Sequence, residues 1–151
     1  MRATSTWQEE QRFETVSESG HRVAMDAGPE HAGGPSPMET VLMALCACTS
    51  VDVASILRKK REPLTGLTVT AEAEQAETPP RVFTRIRLTY RVAGEVSPKA
   101  VADAVALSEK KYCSVSRMLE KTAAIEISIE LAGAPPAAES KATGAAPEER
   151  P

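Results

Sequence analysis

At 151 residues the chain has the length of one domain able to bury a core, and its 42% hydrophobic and 26% charged residues match soluble globular averages. Aromatics make up 3%, so the core has to be aliphatic. A net charge of −3, with no basic stripe interleaved with aromatic residues, excludes the electrostatic footprint of a nucleic-acid binder. No apolar leader segment opens the chain, and the longest apolar run, Val41 to Cys48, is too short to cross a bilayer. Three cysteines, an odd number, fit a reducing compartment better than a disulfide framework, so the expected location is the cytoplasm.

Trp7 to Glu18 and His21 to Asp26 show short alternation broken at Ser19-Gly20. This predicts two strands joined by a tight turn, with Phe13, Val16, Val23 and Met25 inward. Residues 27–34 hold three glycines and a proline, the composition of a loop. A long helix follows. Ser36 can cap it, Pro37 suits its first position, and Glu39 completes a capping box. From Val41 to Leu57 the apolar residues run almost round the whole circumference, as expected of a helix enclosed by other elements. Its end is marked by Arg58-Lys59-Lys60-Arg61, whose cations suit a helix C-terminus, and by Pro63.

Leu67, Val69, Ala71 and Ala73 alternate with Thr68, Thr70, Glu72 and Glu74, which predicts a strand with one buried face. After Pro79-Pro80, residues Val82, Ile86, Leu88, Tyr90 and Val92 share one face of a second strand, and Arg85, Arg87 and Arg91 the other. Paired as an antiparallel hairpin, the two strands bring Glu72, Glu74 and Glu77 against those arginines, a solvated ladder that needs no ligand. Ser97-Pro98 opens a second helix with Val101, Ala104, Val105 and Leu107/Ser108 inward. The backbone is expected to break near Tyr112 and restart a short helix at Cys113 or Ser114. Ile125, Ile127 and Ile129 then form a last strand, and residues 133–151, rich in Ala, Pro and Glu, are expected to be a flexible tail outside a domain of residues 1–132. The fold class is α+β.

Cysteine chemistry needs a thiolate, which helix N-termini and nearby cations stabilise. Cys113 meets that description in sequence, following Lys110 and Lys111 with Arg117 a turn later. Cys48 lies in mid-helix. Cys46 and Cys48 stand roughly 200° apart round the helix, so one can face a site while the other packs in the core, and they cannot bridge each other. With only His21 and His31 as further candidate ligands, neither at a recognised spacing, no metal and no cofactor is expected. From the residues alone, a buried cysteine remains more readily an inert core residue.

The run from Pro35 through Pro37-Met38-Glu39 to Cys46-Ala47-Cys48-Thr49-Ser50-Val51-Asp52, followed 65 residues after Cys48 by Lys111-Tyr112-Cys113-Ser114-Val115-Ser116-Arg117, resembles the OsmC/Ohr family of osmotically inducible and organic hydroperoxide resistance proteins. The likeness spans Trp7 to Leu131 and is greatest for the OsmC-like branch. It implies two central helices packed against antiparallel sheets in an intertwined homodimer with active sites at the subunit interface. It also implies a peroxidase acting on organic hydroperoxides. In that scheme Cys48, eleven residues after Pro37, attacks the peroxide; Cys113 resolves the sulfenic acid to a disulfide, and an external dithiol resets the pair. Arg12, with Arg22 as the alternative, would hold the thiolate, and Met38, Leu42 and Leu45 would line an apolar substrate pocket. Met38 occupies the position where the peroxidases carry a glutamate. No nucleic-acid or membrane partner is implied. The alternative from another class is a non-catalytic dimer that binds a small hydrophobic or thiol-bearing ligand at the interface.

Overall fold

The structure, a computed structural model, describes residues 1–132; the tail expected over 133–151 lies outside the described residues. It is α+β: strands β1 (Ala3–Glu9), β2 (Arg12–Ser17) and β3 (Arg22–Asp26) form one sheet in that order. Helix α1 (Pro37–Lys59) follows, and then the hairpin β4 (Leu64–Gln75) and β5 (Phe83–Gly94). Helix α2 (Pro98–Leu107) runs into a π-helical turn at Ser108–Tyr112, and α3 (Ser114–Leu119) leads to β6 (Ala124–Ala132). The second sheet has the order β4-β5-β6, antiparallel in its first pairing and parallel in its second.

The N-terminal region holds three strands rather than two. The extra turn falls at Glu10-Gln11, where no glycine or proline marks it: Glu10 itself adopts a left-handed φ of 46°, and the Trp7 indole N–H donates to its carbonyl at 3.0 Å. Register Trp7↔Phe13↔Met25 and Thr15↔Val23 puts Phe13, Val23 and Met25 on one face, while Val16 falls on the other, because side chains alternate with a period of two. Every residue of β1 is exposed.

Helix α1 begins as its sequence dictates. Ser36 Oγ accepts from Glu39 N–H at 3.1 Å and the Glu39 carboxylate accepts from Ser36 N–H at 2.7 Å, the reciprocal capping box. Leu45, Thr49, Val53 and Leu57, spaced four apart, form its buried stripe. They pack against Ile86, Leu88 and Tyr90 of β5 and Val101 and Val105 of α2 in an aliphatic core. Full burial of each such leucine is worth roughly 2 kcal/mol. The opposite face is not enclosed within the chain: Met43 and Val51 keep 55% and 66% of their surface exposed. An apolar circumference here therefore does not mean cover from the same chain.

The hairpin has the expected face, with Glu72 opposite Arg87 and Glu74 opposite Arg85. Arg91 departs from expectation, bonding Glu130 of β6 at 2.9 Å, and Glu126 of β6 is shared by Arg85 and Arg87. These groups are half-exposed, so the ladder sets register more than it stabilises. Val82 stays exposed and Phe83 takes the buried first position instead.

Candidate active site around Cys48 and Cys113

Two local structures far apart in sequence build the site. On α1 the helical period carries Cys48 and Asp52 one turn apart onto the same shoulder, next to the buried Thr49. At the end of α2 the helix widens into the π turn, closed by the Cys113 N–H donating to the Ser108 carbonyl at 2.8 Å. That extra residue points Ser108 inward, fully buried, and delivers Cys113 to the N-cap of α3. Such single π turns recur at functional sites.

The thiols of Cys48 and Cys113 and a carboxylate oxygen of Asp52 all lie within 4.8 Å of one another. All three cysteines are free thiols. Behind this trio runs a buried hydroxyl chain: Tyr90 OH to Thr49 Oγ1 at 2.5 Å, Thr49 Oγ1 to Ser108 Oγ at 3.0 Å, and Ser108 Oγ to Asp52 Oδ2 at 2.9 Å. Its polarity follows from counting protons. The Asp52 carboxylate can only accept, which uses the one proton of Ser108; Thr49 must then donate to Ser108, and Tyr90 to Thr49. Every donor points towards Asp52, so each bond polarises the next along the chain.

Cys113 has no exposed surface. Burial pushes its thiol up to about 11; the Ser116 N–H, donating to Sγ at 3.4 Å, opposes this, while Cys48 and Asp52 push it further up. The expectation of a thiolate at Cys113 is thus corrected. Two of the cations near it in sequence are engaged elsewhere: Lys111 Nζ lies over the Tyr112 ring and Arg117 pairs with Glu120 at 2.8 Å. Burial likewise pushes the Tyr90 phenol up to about 12.

Cys46 sits on the other shoulder of α1. It is half-buried in a shallow groove with Leu42, Met43, Val69 and Ala71, and burial raises its thiol. Of the three candidate pocket residues, Leu42 lines that groove beside Cys46, Met38 packs against the edge of the core, and Leu45 is wholly inside the core. Arg12 is held in the N-terminal sheet, 2.9 Å from Glu9 and 3.7 Å from Asp26, in a cleft of about 580 Å³ shared with His31 and no cysteine. The backbone N–H groups of Gly28 and Gly33 hold the Asp26 carboxyl below its ordinary value. Arg22 pairs with Glu14. Within one chain the structure thus brings Cys48 and Cys113 together and keeps both arginines with other partners.

Sequence reasoning did not single out Asp52, Thr49 or Tyr90. The one available signal was the Cys48-to-Asp52 spacing of one helical turn, which puts a carboxylate beside a thiol wherever the helix runs. Among the described residues, Cys48, Asp52 and Cys113 also converge as potential metal donors, fewer than the four that close a structural zinc site but as many protein ligands as a catalytic zinc takes. The trio is a dithiol with a carboxylate.

The family model for OsmC-like proteins matches residues 28–129. Protein YhfA of Escherichia coli strain K12 is 44% identical over 135 residues, covering 89% of this chain and 100% of the relative. Among solved structures, a hypothetical protein of Aquifex aeolicus superposes with a TM-score of 0.80 at 28% identity, covering 89% of this chain and 97% of the other. An organic hydroperoxide resistance protein of Legionella pneumophila shares the fold with a TM-score of 0.67 at 15% identity, covering 85% and 95%. With a match across most of its length and a relative of this identity, the chain belongs to the family of OsmC-like proteins.

Proposed function

We propose that this protein is a thiol-dependent peroxidase that reduces organic hydroperoxides through a two-cysteine cycle. The observation that carries the reading is the convergence of the Cys48 and Cys113 sulfurs within 4.8 Å, from elements 65 residues apart. Cys48 retains solvent access and Cys113 has none, which divides the roles. The Cys48 thiolate attacks the peroxide O–O bond, releasing an alcohol and becoming a sulfenic acid; Cys113 then displaces the hydroxyl to form a disulfide. An external dithiol restores the pair by exchange. Structural relatives named for organic hydroperoxide resistance support this choice of substrate.

The active form is a homodimer working in the cytoplasm. The uncovered apolar face of α1, with Met43 and Val51, supports the assembly, as does the exposed Trp7 of the N-terminal sheet. A second copy is also the source of the missing cation, with Arg12 delivered from the partner's N-terminal sheet to the Cys48 thiolate. Met38, at the edge of the core, would line the apolar approach, whereas Leu42 faces the groove beside Cys46. The groove beside Cys46, away from the dithiol, supports a second reading, a non-catalytic dimer holding a small hydrophobic or thiol-bearing ligand.

Thiol titration after one equivalent of cumene hydroperoxide separates the two. The peroxidase loses two thiols per chain; Cys48→Ser abolishes the loss and Cys46→Ser leaves it intact. Unchanged thiols in the wild-type protein, with saturable uptake of an apolar fluorescent probe, would establish the binding reading instead.

A further inference from the structure

We propose that Asp52 is the proton acceptor for closure of the Cys48–Cys113 disulfide, held in place by the hydroxyl chain from Tyr90 through Thr49 and Ser108. The inference deepens the peroxidase reading and rests on it for the peroxide step only. Cys113 is fully buried, and of the cations adjoining it in sequence Lys111 lies over the Tyr112 ring and Arg117 pairs with Glu120. The titratable groups that face it are Cys48 and Asp52 from α1; beyond Thr49 stands Tyr90 of β5, which in turn feels Glu109 and Cys46. Burial keeps Cys113 a thiol at neutral pH, so its S–H proton has to go somewhere as the sulfur attacks. A carboxylate oxygen of Asp52 lies within 4.8 Å of both sulfurs, and Ser108 donates to the carboxylate at Oδ2 at 2.9 Å, using one of its several lone pairs.

In the closing step the Cys113 S–H bond breaks, its proton passing to Asp52 and its electron pair staying on sulfur. That pair forms the bond to the Cys48 sulfur, and the Cys48 S–O bond breaks with its electrons on oxygen. The departing hydroxide takes the proton back from Asp52 and leaves as water, so Asp52 ends the step ionised.

Two rapid-mixing measurements test this, both in the Cys46→Ser background. In the first, cumene hydroperoxide generates the sulfenic acid and closure is followed by loss of dimedone-trappable species. Asp52→Asn, which keeps the hydrogen bond from Ser108, is expected to slow closure roughly 100-fold. With that deficit at pH 7, its rate then rises about tenfold per pH unit between about pH 6 and 8, where the wild-type rate is nearly flat. In the second, 5,5′-dithiobis(2-nitrobenzoate) labels Cys48 and the release of the second thionitrobenzoate reports attack by Cys113. That leaving group departs as an anion and needs no proton, so the arm isolates the acceptor role and requires no peroxide chemistry. Formate restores closure in Asp52→Ala, and Ser108→Ala slows closure several-fold while keeping the flat profile. Closure in Asp52→Asn at the wild-type rate, or with the wild-type pH profile, overturns the proposal. Failure of the wild-type protein to form a sulfenic acid overturns the peroxidase reading alone, because the second arm still decides the role of Asp52.

Discussion

Replacing Thr49 with valine removes one hydroxyl from the interior at nearly constant shape and tests the direction of the hydroxyl chain. Thr49 is 1% exposed and bonded to both Tyr90 and Ser108. In the variant Ser108 still donates to Asp52, but the Tyr90 hydroxyl, on a side chain 1% exposed, has lost its acceptor. A stranded buried donor costs about 1–3 kcal/mol, and the added methyl returns roughly 0.8 kcal/mol of apolar burial, leaving a net loss of about 0.2–2.2 kcal/mol, centred at about 1.2. Tyr90→Phe strands nothing, since Thr49 keeps donating to Ser108, and is expected to cost only about 0.5–1 kcal/mol. Once the Tyr90 hydroxyl is gone, Thr49→Val should add about 0.5 kcal/mol or less, so the pair couples by roughly 1 kcal/mol. Urea unfolding of the two single variants and the double variant measures this, at fixed protein concentration because assembly would link stability to concentration, and with reductant present. Additive costs within about 0.5 kcal/mol, or a costlier Tyr90→Phe, would refute the deduced proton order.

Stability should fall at alkaline pH in two stages. Cys113 and Tyr90 are raised in the folded state from 9.0 to about 11 and from 10.0 to about 12. Their contribution is complete below the unfolded values and is lost as pH rises, from 9 through 11 for the thiol and from 10 through 12 for the phenol. Urea midpoints measured across that range should decline, Cys113→Ala removing the first stage and Tyr90→Phe the second; a flat wild-type profile contradicts the burial of both groups. Gly94→Ala should destabilise by more than about 3 kcal/mol, detected as lost soluble expression or a collapsed melting transition. Gly94 has φ +114°, and an added Cβ would stand 2.2 Å from the Pro63 carbonyl oxygen. Ser36→Ala removes the cap of α1 and should lower stability by about 1 kcal/mol in the same urea assay; no change would mean that Pro37 alone fixes the helix start.

Local signals survived folding where one residue type had one physical solution. Ser36, Pro37 and Glu39 fix the start of α1 because orphan N–H groups leave few alternatives. Alternation fixes the hairpin, and Ser97-Pro98 fixes α2. The turn at Glu10 was illegible since a glutamate rarely takes a positive φ, and its stabilising bond comes from the Trp7 side chain. The parallel pairing of β6 with β5 was equally hidden: an alternating strand has the same pattern in either direction. At the site, the resemblance to OsmC/Ohr proteins picked out the two cysteines that the fold brings together. The chemical state of Cys113 was misjudged, because adjacency in sequence to Lys110 and Lys111 says nothing about where those ammonium groups point. Asp52 drew no attention in the sequence because the residue that bonds it, Ser108, lies 56 positions away.

Helix α1 organises all this through the angular order of its residues. Taking the stripe of Thr49 and Val53 as facing the core, Cys48 and Asp52 lie roughly 60–100° to one side and Cys46 roughly 60° to the other. Met43, Ala47 and Val51 occupy the far side and are exposed. The two cysteines, two residues apart, therefore serve different neighbours: Cys48 meets the π turn and α3, and Cys46 meets β4. The Cys48 shoulder is where cover from the same chain ends. In the proposed dimer it becomes a seam, with Cys113 and Asp52 beneath it from one chain and a second chain closing over the far face of α1. Under that proposal the partner's Arg12 guanidinium would approach Cys48 along the seam and meet the carboxylate of Asp52 as well as the thiolate. Separating the two subunits would then leave the resolving pair complete and the activating cation absent, so assembly would govern the peroxide step without governing disulfide closure.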